Sequence, residues 1–256
     1  MIPLKDNIPT DRFPVVTVGL ILANLVVYLL AVAHGGSLIS GPDAHEIYRY
    51  GAIPYALAHP SEHCGVLRTM TSEFACARQA GLVSGLPWWQ TVFTSMFMHA
   101  SILHIAGNLL FLWIFGNNVE DSMGPVKFLG FYVLGGIAAL ALQTAVGPNS
   151  FAPTVGASGA IAAVLGGYIV LYPRARVLSL VFIILFFTVV ELPALLMLGL
   201  WFAEQAAFGA AGLTSTSASG VAYFAHVGGF VFGALTIRWL ASHRKRVPPT
   251  RVVAAH

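Results

Sequence analysis

Three polar motifs stand inside otherwise apolar stretches of the chain, and their side chains are the ones suited to chemistry. The first, Gly156-Ala157-Ser158-Gly159, places a hydroxyl at the head of an apolar run. The second carries His104 and Asn108, and the third carries His226. An imidazole, with a pKa of about 6.5, accepts a serine proton and later returns it to a leaving amine. We therefore predict that Ser158 is a nucleophile and His226 its general base.

His104 and Asn108 lie one helical turn apart and face the same way. Both donate hydrogen bonds, so together with the Ser158 backbone amide they suit a developing oxyanion. Each motif also has a plainer explanation, because small residues pack helices and a His–Asn pair clamps them. The joint presence of all three favours catalysis. No acid is placed to orient His226, which predicts a dyad rather than a triad.

The composition predicts an integral membrane protein. Of the 256 residues, 57% are hydrophobic and 9% are charged, whereas soluble domains carry about 25% charged residues. One membrane domain uses nearly all of this length. The chain contains no His-Glu-x-x-His zinc motif, and we expect neither a metal nor another cofactor.

The hydropathy pattern predicts an all-α polytopic fold, a six-transmembrane-helix bundle with a long first extracytoplasmic loop at 35–90. A cytoplasmic segment at 1–13 precedes the membrane domain at 14–241, and a basic cytoplasmic tail at 242–256 follows it. The fifth span begins either at Val177 or at Pro193. A start at Val177 buries Glu191 near the bilayer centre, at a cost of at least ~2.5 kcal/mol, so we favour Pro193. The predicted spans are about 14–33, 91–115, 126–146, 158–172, 193–212 and 220–240.

Three further expectations follow from this choice of spans. Residues 177–192 lie at the membrane interface, and a Gly/Ser/Thr loop at 213–219 precedes the last span. Glu204 falls deep within the fifth span, so we expect it to face a wet cavity or polar neighbours.

Charge predicts the orientation. With six spans, ten of the 13 Lys and Arg residues lie on the side of the termini, the pattern of cytoplasmic segments. Both termini are therefore expected in the cytoplasm. The basic tail is interpreted as a topology and lipid-headgroup signal, which predicts a lipid partner and no nucleic acid. Cys64 and Cys76 share the outer loop, where they form a disulfide or stay free thiols; their spacing does not decide this.

The serine helix is too short to cross a bilayer. Its 15 residues, 158–172, span ~22 Å against a hydrocarbon core of ~30 Å. Ser158 must then lie below the outer surface, in a water-filled depression and at the positive end of a helix dipole. Gly229 and Gly233 share one face with His226, and that smooth face is expected to pack against the serine helix.

This ordered set resembles the rhomboid intramembrane serine proteases, above all their bacterial members. The resemblance covers about residues 12–240. It implies a six-helix core, catalysis by Ser158 and His226, and oxyanion stabilisation by His104, Asn108 and the Ser158 amide. It also implies cleavage of transmembrane protein substrates near the outer face of a bacterial inner membrane. The residues to which it gives supporting roles are His99, Gly156, Gly159, Gly229 and Glu120.

One position departs from the family pattern. Some members place a tyrosine four residues after the serine, under the histidine ring, and here that residue is Ala162. Another side chain is therefore expected to position His226. The alternative function is a catalytically inactive rhomboid-like protein that binds membrane proteins. A transporter is disfavoured because the sequence has no internal repeat.

Overall fold

The computed structural model describes residues 1–67, 74–78, 83–183, 186–213 and 221–242. These residues form a mostly helical protein with three small antiparallel sheets. The helices are α1 Val15–His34, α2 Ala44–Tyr50, α3 Pro54–Ala58, α4 Trp88–Thr94, α5 Ile102–Phe111, α6 Asn117–Met123, α7 Pro125–Val146, α8 Ser158–Leu171, α9 Ala194–Gly212 and α10 Tyr223–Leu240. The strands are β1 Ile2–Asp6, β2 Gly36–Ser37, β3 Gly41–Pro42, β4 His63–Leu67, β5 Phe74–Ala77, β6 Val83–Ser84, β7 Arg176–Ile183 and β8 Phe186–Pro193.

Four helices are long and apolar enough to cross a membrane: α1, the continuous helix Ile102–Met123, α7 and α9. Helix α8 is apolar but shorter, with 14 residues. The bounds predicted for α1, α7, α8 and α9 agree with the structure to within one residue. The chain is therefore a multi-pass membrane protein, and the count of six spans remains a prediction.

The predicted second span is wrong in both of its bounds. Helix α4 ends at Thr94 and α5 begins at Ile102, because Ser101 caps α5 by accepting a hydrogen bond from the His104 amide. The helix then continues through a π-helical turn at Leu112–Gly116 into α6. Nothing breaks it before Gly124, so Glu120 is helical.

The prediction of an all-α fold is wrong for the segment between α8 and α9. Strands β7 and β8 form an antiparallel hairpin, and β1 pairs with the other edge of β7. The segment is rich in β-branched and aromatic residues, which favour strands. Residues 2–6, predicted as part of the cytoplasmic segment 1–13, supply its third strand. Pro193 directly precedes α9, in agreement with the favoured start of the fifth helix.

Helices α8 and α10 pack closely, as their small-residue faces predict. A Cβ atom added to Gly166 of α8 would meet the carbonyl oxygen of Phe230 in α10. One added to Gly233 of α10 would meet the carbonyl oxygen of Ala163 in α8. Only glycine lets the two backbones approach this closely, and that approach brings the start of α10 beside the start of α8.

The segment between α1 and α4 contains regular secondary structure. It contains α2, α3 and the small sheets, and a disulfide joins Cys64 to Cys76 across the pair β4–β5. The predicted Gly/Ser/Thr loop at 213–219 and the basic tail at 242–256 lie almost entirely outside the described residues.

Candidate active site

Ser158 is the first residue of α8, and the five residues before it, 153–157, form what we call the serine loop. The loop is held at two points. Thr154 exchanges backbone hydrogen bonds of 2.7 and 3.0 Å with Ala52, and the Gly156 amide donates to the Ser95 carbonyl at 2.9 Å. Both anchors lie in segments that precede α5, so the serine hydroxyl is positioned by parts of the chain distant in sequence.

The structure brings the predicted serine and histidine together. Nε2 of His226 lies 2.7 Å from Oγ of Ser158. His226 stands in the first turn of α10, and Gln143 of α7 fixes that turn by accepting a hydrogen bond of 3.1 Å from the Ala225 amide. A serine hydroxyl at this distance from an imidazole nitrogen is within reach for direct proton transfer.

Two residues of α9 that were not predicted as site residues contact His226. Oε1 of Gln205 lies 2.7 Å from Nδ1 of His226. The ring of Trp201 lies 5.7 Å from the imidazole, between centroids, with the planes inclined by 39°. Trp201 thus lies beside the imidazole ring. A glutamine four residues after a tryptophan in an apolar helix was the available signal.

His104 and Asn108 line the same cavity as Ser158. Gly156 has φ +120°, and a Cβ atom at that position would come within 2.7 Å of Nε2 of His104. The Asn108 side-chain amide donates to the His104 carbonyl at 3.1 Å, which leaves its second amide hydrogen for another acceptor. Within the described part of the chain, the Ser158 backbone amide has no acceptor, as expected at the start of a helix.

His99 lies behind His104 and outside the cavity lining. It is fully buried; Nδ1 donates to the Phe97 carbonyl at 3.2 Å, and Nε2 accepts from the Ala157 amide at 3.5 Å. The rings of His99 and His104 meet edge to face, 5.0 Å apart. His99 therefore supports both the serine loop and the His104 ring.

The other predicted supporting residues act through packing and capping. A Cβ atom on Gly229 would meet the Gly159 carbonyl oxygen, and one on Gly159 would lie 2.7 Å from the Ala139 methyl group. Glu120 is buried and caps α1, accepting hydrogen bonds of 2.9 Å from the Val16 amide and 2.8 Å from the Thr17 amide.

A cavity of about 390 Å³ opens at the start of α8. Its lining is mostly apolar, and the polar groups Ser158, His226, His104 and Asn108 converge in it. Among the residues described, no group of three or more His, Cys, Asp or Glu side chains is placed to hold a metal ion.

The expectation for Glu204 is wrong. Its side chain is exposed on the outer surface of α9 and makes no hydrogen bond or ion pair with the described residues. A helix turns by about 100° per residue. Its neighbour Gln205 therefore points inward, to His226, while Glu204 points away from the site.

These features define a class: a multi-pass membrane protein with a serine–histidine pair at the start of a short, buried helix. A family model described as the Rhomboid domain matches residues 87–243, more than half of the chain. The chain therefore belongs to the rhomboid family.

Individual relatives agree with this assignment. Rhomboid protein 1, mitochondrial, of Saccharomyces cerevisiae is 32% identical over 156 residues, which cover 57% of this chain and 40% of the relative. The presenilin-associated rhomboid-like protein, mitochondrial, of Homo sapiens is 31% identical over 94 residues, 36% of this chain and 24% of the relative. Rhomboid protease GluP of Bacillus subtilis is 36% identical over 90 residues, 35% of this chain and 17% of the relative. Each match covers less than half of the relative's length.

Proposed function

We propose that this protein is an intramembrane serine endopeptidase that hydrolyses peptide bonds in or near the transmembrane segments of other membrane proteins. The observation that carries the proposal is the 2.7 Å contact between Oγ of Ser158 and Nε2 of His226 inside a cavity. Membership of the rhomboid family and the name of the Bacillus relative, a rhomboid protease, support it.

In the proposed mechanism, Nε2 of His226 takes the Ser158 proton as Oγ bonds to the substrate carbonyl carbon. The carbonyl oxygen becomes an oxyanion, stabilised by the Ser158 amide, His104 and the free amide hydrogen of Asn108. The C–N bond then breaks and the leaving amine receives the proton from His226. Water then attacks the acyl carbon while His226 takes its proton. His226 returns that proton to Oγ of Ser158 as the bond from Oγ to the acyl carbon breaks and the carboxylic acid product leaves.

The length of α8 supports a site below the membrane surface. Its 14 residues extend about 21 Å, less than the ~30 Å of a hydrocarbon core. A substrate helix must unwind to present a carbonyl carbon there, because a helical carbonyl is covered by its own hydrogen bond. The proposed substrates are therefore transmembrane proteins with a segment that unwinds readily near the outer face.

The topology proposed for this activity has six spans over residues 14–241, with both termini in the cytoplasm and the segment 35–90 outside. The Cys64–Cys76 disulfide supports an outer loop, because disulfides persist in oxidising compartments. The predicted bacterial inner membrane is not supported by the relatives, of which the yeast and human proteins are named mitochondrial and one is from Bacillus. Fractionation of cells that express the protein natively tests the compartment.

Labelling with a fluorophosphonate probe tests the function, together with cleavage of a model transmembrane substrate by the detergent-purified protein. We expect the wild type to do both, and Ser158→Ala and His226→Ala to do neither while remaining folded. Undiminished cleavage by Ser158→Ala would exclude the mechanism. A folded wild type that binds the substrate but neither cuts it nor takes the probe would favour the inactive binding protein instead.

A further inference from the structure

Helix α9 presents two side chains to His226 from a single face. Trp201 and Gln205 are one turn apart, and both reach the imidazole, one at its ring and one at Nδ1. Gln205 is 8% exposed, so this amide is buried against the site rather than in solvent. Nε2 of His226 contacts Oγ of Ser158, so both ring nitrogens have a hydrogen-bond partner at 2.7 Å.

The amide oxygen of Gln205 determines which nitrogen of His226 carries hydrogen. An amide oxygen only accepts hydrogen bonds, so Nδ1 must be the donor. In a neutral imidazole, a hydrogen on Nδ1 leaves the lone pair on Nε2, toward Ser158. With the amide turned over, its NH2 group would donate to Nδ1, and Nε2 would carry the hydrogen and be unable to accept a proton from Ser158.

We infer that Gln205 is a positioning residue that holds His226 in its base-competent Nδ1–H tautomer, while Trp201 fixes the plane of the ring. The inference rests on the proposed function and extends its dyad to three hydrogen-bonded residues, Ser158, His226 and Gln205. As the Ser158 O–H bond breaks and the Nε2–H bond forms, Nδ1 keeps its hydrogen. The carbonyl dipole of Gln205 faces the resulting imidazolium, and no proton moves onto the amide.

A neutral amide beside His226, as Gln205 provides, suits the mostly apolar surroundings of this site. A carboxylate in the same place would add a permanent charge to a cavity lined mostly by apolar groups, where charge is costly. The amide supplies the required acceptor without it. Because α9 provides both the acceptor and the ring contact, the alanine at position 162 does not leave the histidine unsupported.

A glutamine that only tied α9 to α10 would affect stability, whereas a positioning residue affects the rate and its pH dependence. We therefore compare full-length Gln205→Met, Gln205→Glu and the matched control Glu204→Gln, whose exposed side chain adjoins Gln205. For Gln205→Met we expect kcat on a model transmembrane substrate to fall about tenfold, from the loss of one neutral hydrogen bond, with KM unchanged. Gln205→Glu should restore the rate and move the acid limb of the pH profile about 1 unit or more upward. Glu204→Gln should match the wild type.

The tautomer itself is read from the ¹⁵N shifts of the His226 ring, assigned by comparison with His226→Ala. At pH 8 we expect hydrogen on Nδ1 in the wild type and a mixture of tautomers in Gln205→Met. A Gln205→Met protein with the wild-type kcat and tautomer would overturn the inference. A Gln205→Met protein that differs from the wild type only in a lower melting temperature would overturn it too, as would a Gln205→Glu protein with the wild-type pH profile. A wild type inert to substrate and probe would refute the proposed function, and the ring shifts would still decide the role of Gln205.

Discussion

The carboxylate of Asp6 in β1 accepts a hydrogen bond of 2.6 Å from the hydroxyl of Tyr168 in α8, 162 residues later in the chain. The Asn118 side-chain amide donates to the same oxygen at 2.7 Å. The N-terminal strand is thereby attached to the helix whose opposite end carries Ser158. Desolvation by burial raises the pKa of Asp6 from 3.8 to about 6, against the lowering effect of the Tyr168 hydrogen bond.

This shift predicts a pH-dependent stability. Between pH 6 and pH 4 the folded protein binds a proton at Asp6 that the unfolded chain does not, so the free energy of unfolding rises as the pH falls through this window. The contribution is complete below about 3.8 and lost above about 6. Asp6→Asn should remove it and flatten the curve. Denaturation midpoints at pH 7, 6 and 5 measure the effect, and an unchanged slope in Asp6→Asn would contradict the assignment.

Gly156→Ala should lower the rate of cleavage about 100-fold while the protein stays folded. The residue has φ +120°, which costs a non-glycine residue about 1–3 kcal/mol. The new methyl group would also lie within 2.7 Å of Nε2 of His104. A displacement of about 1 Å at the reacting groups lowers the rate by ~100-fold. Gly130→Ala is the control, because a Cβ atom there meets nothing within 4 Å. Equal activity of the two variants would refute this role of Gly156.

Glu120→Ala should destabilise the protein without changing the chemistry of the folded fraction. The substitution leaves the Val16 and Thr17 amides of α1 without their buried acceptor, which costs about 2–3 kcal/mol. Thr17→Val, which removes a single hydroxyl donor to Glu120, should cost about 1 kcal/mol. Unfolding midpoints and the rate of probe labelling per folded molecule separate stability from activity. A slower labelling rate in folded Glu120→Ala would place Glu120 in the site instead.

Reduction of the Cys64–Cys76 disulfide should loosen the segment between α1 and α4. A bridge that closes a loop of this size stabilises a protein by about 3 kcal/mol. We expect reductant to lower the unfolding midpoint of the wild type to that of the Cys64→Ser/Cys76→Ser double variant, on which reductant has no effect. Sensitivity of the double variant to reductant would show that the change arises elsewhere. A membrane-impermeant maleimide that labels the reduced protein on intact cells would support the outer position of the loop.

Much of the candidate site was predictable because hydroxyl, imidazole and amide groups have no solvation reason to stand in apolar helices. The amide of Gln205 is equally out of place in an apolar helix. The charged Glu204 beside it was nevertheless the residue expected to face polar surroundings. Which of two adjacent residues faces inward depends on the rotation of α9 about its axis. That rotation is set by packing against α10 and not by the composition of α9.

The sheet and the broken second span were not predictable from local pattern. The run at 177–192, which the sequence analysis leaves outside the spanning helices, forms two strands, and their third partner comes from residues 2–6, a pairing that no local preference specifies. In the second span, the predicted helix runs through 95–101, where apolar residues alternate with Ser95, His99 and Ser101, and Ser101 supplies a cap. A serine in an apolar run acts as a cap only when the chain around it turns, and tertiary contacts decide that.

The two segments that anchor the serine loop precede it in the chain. Ala52 and Ser95 are translated before Thr154 and Gly156, so both acceptor segments have been synthesised when the loop emerges. His226 is translated last of all. A chain that ends between Gly159 and His226 therefore contains the proposed nucleophile without its proposed base.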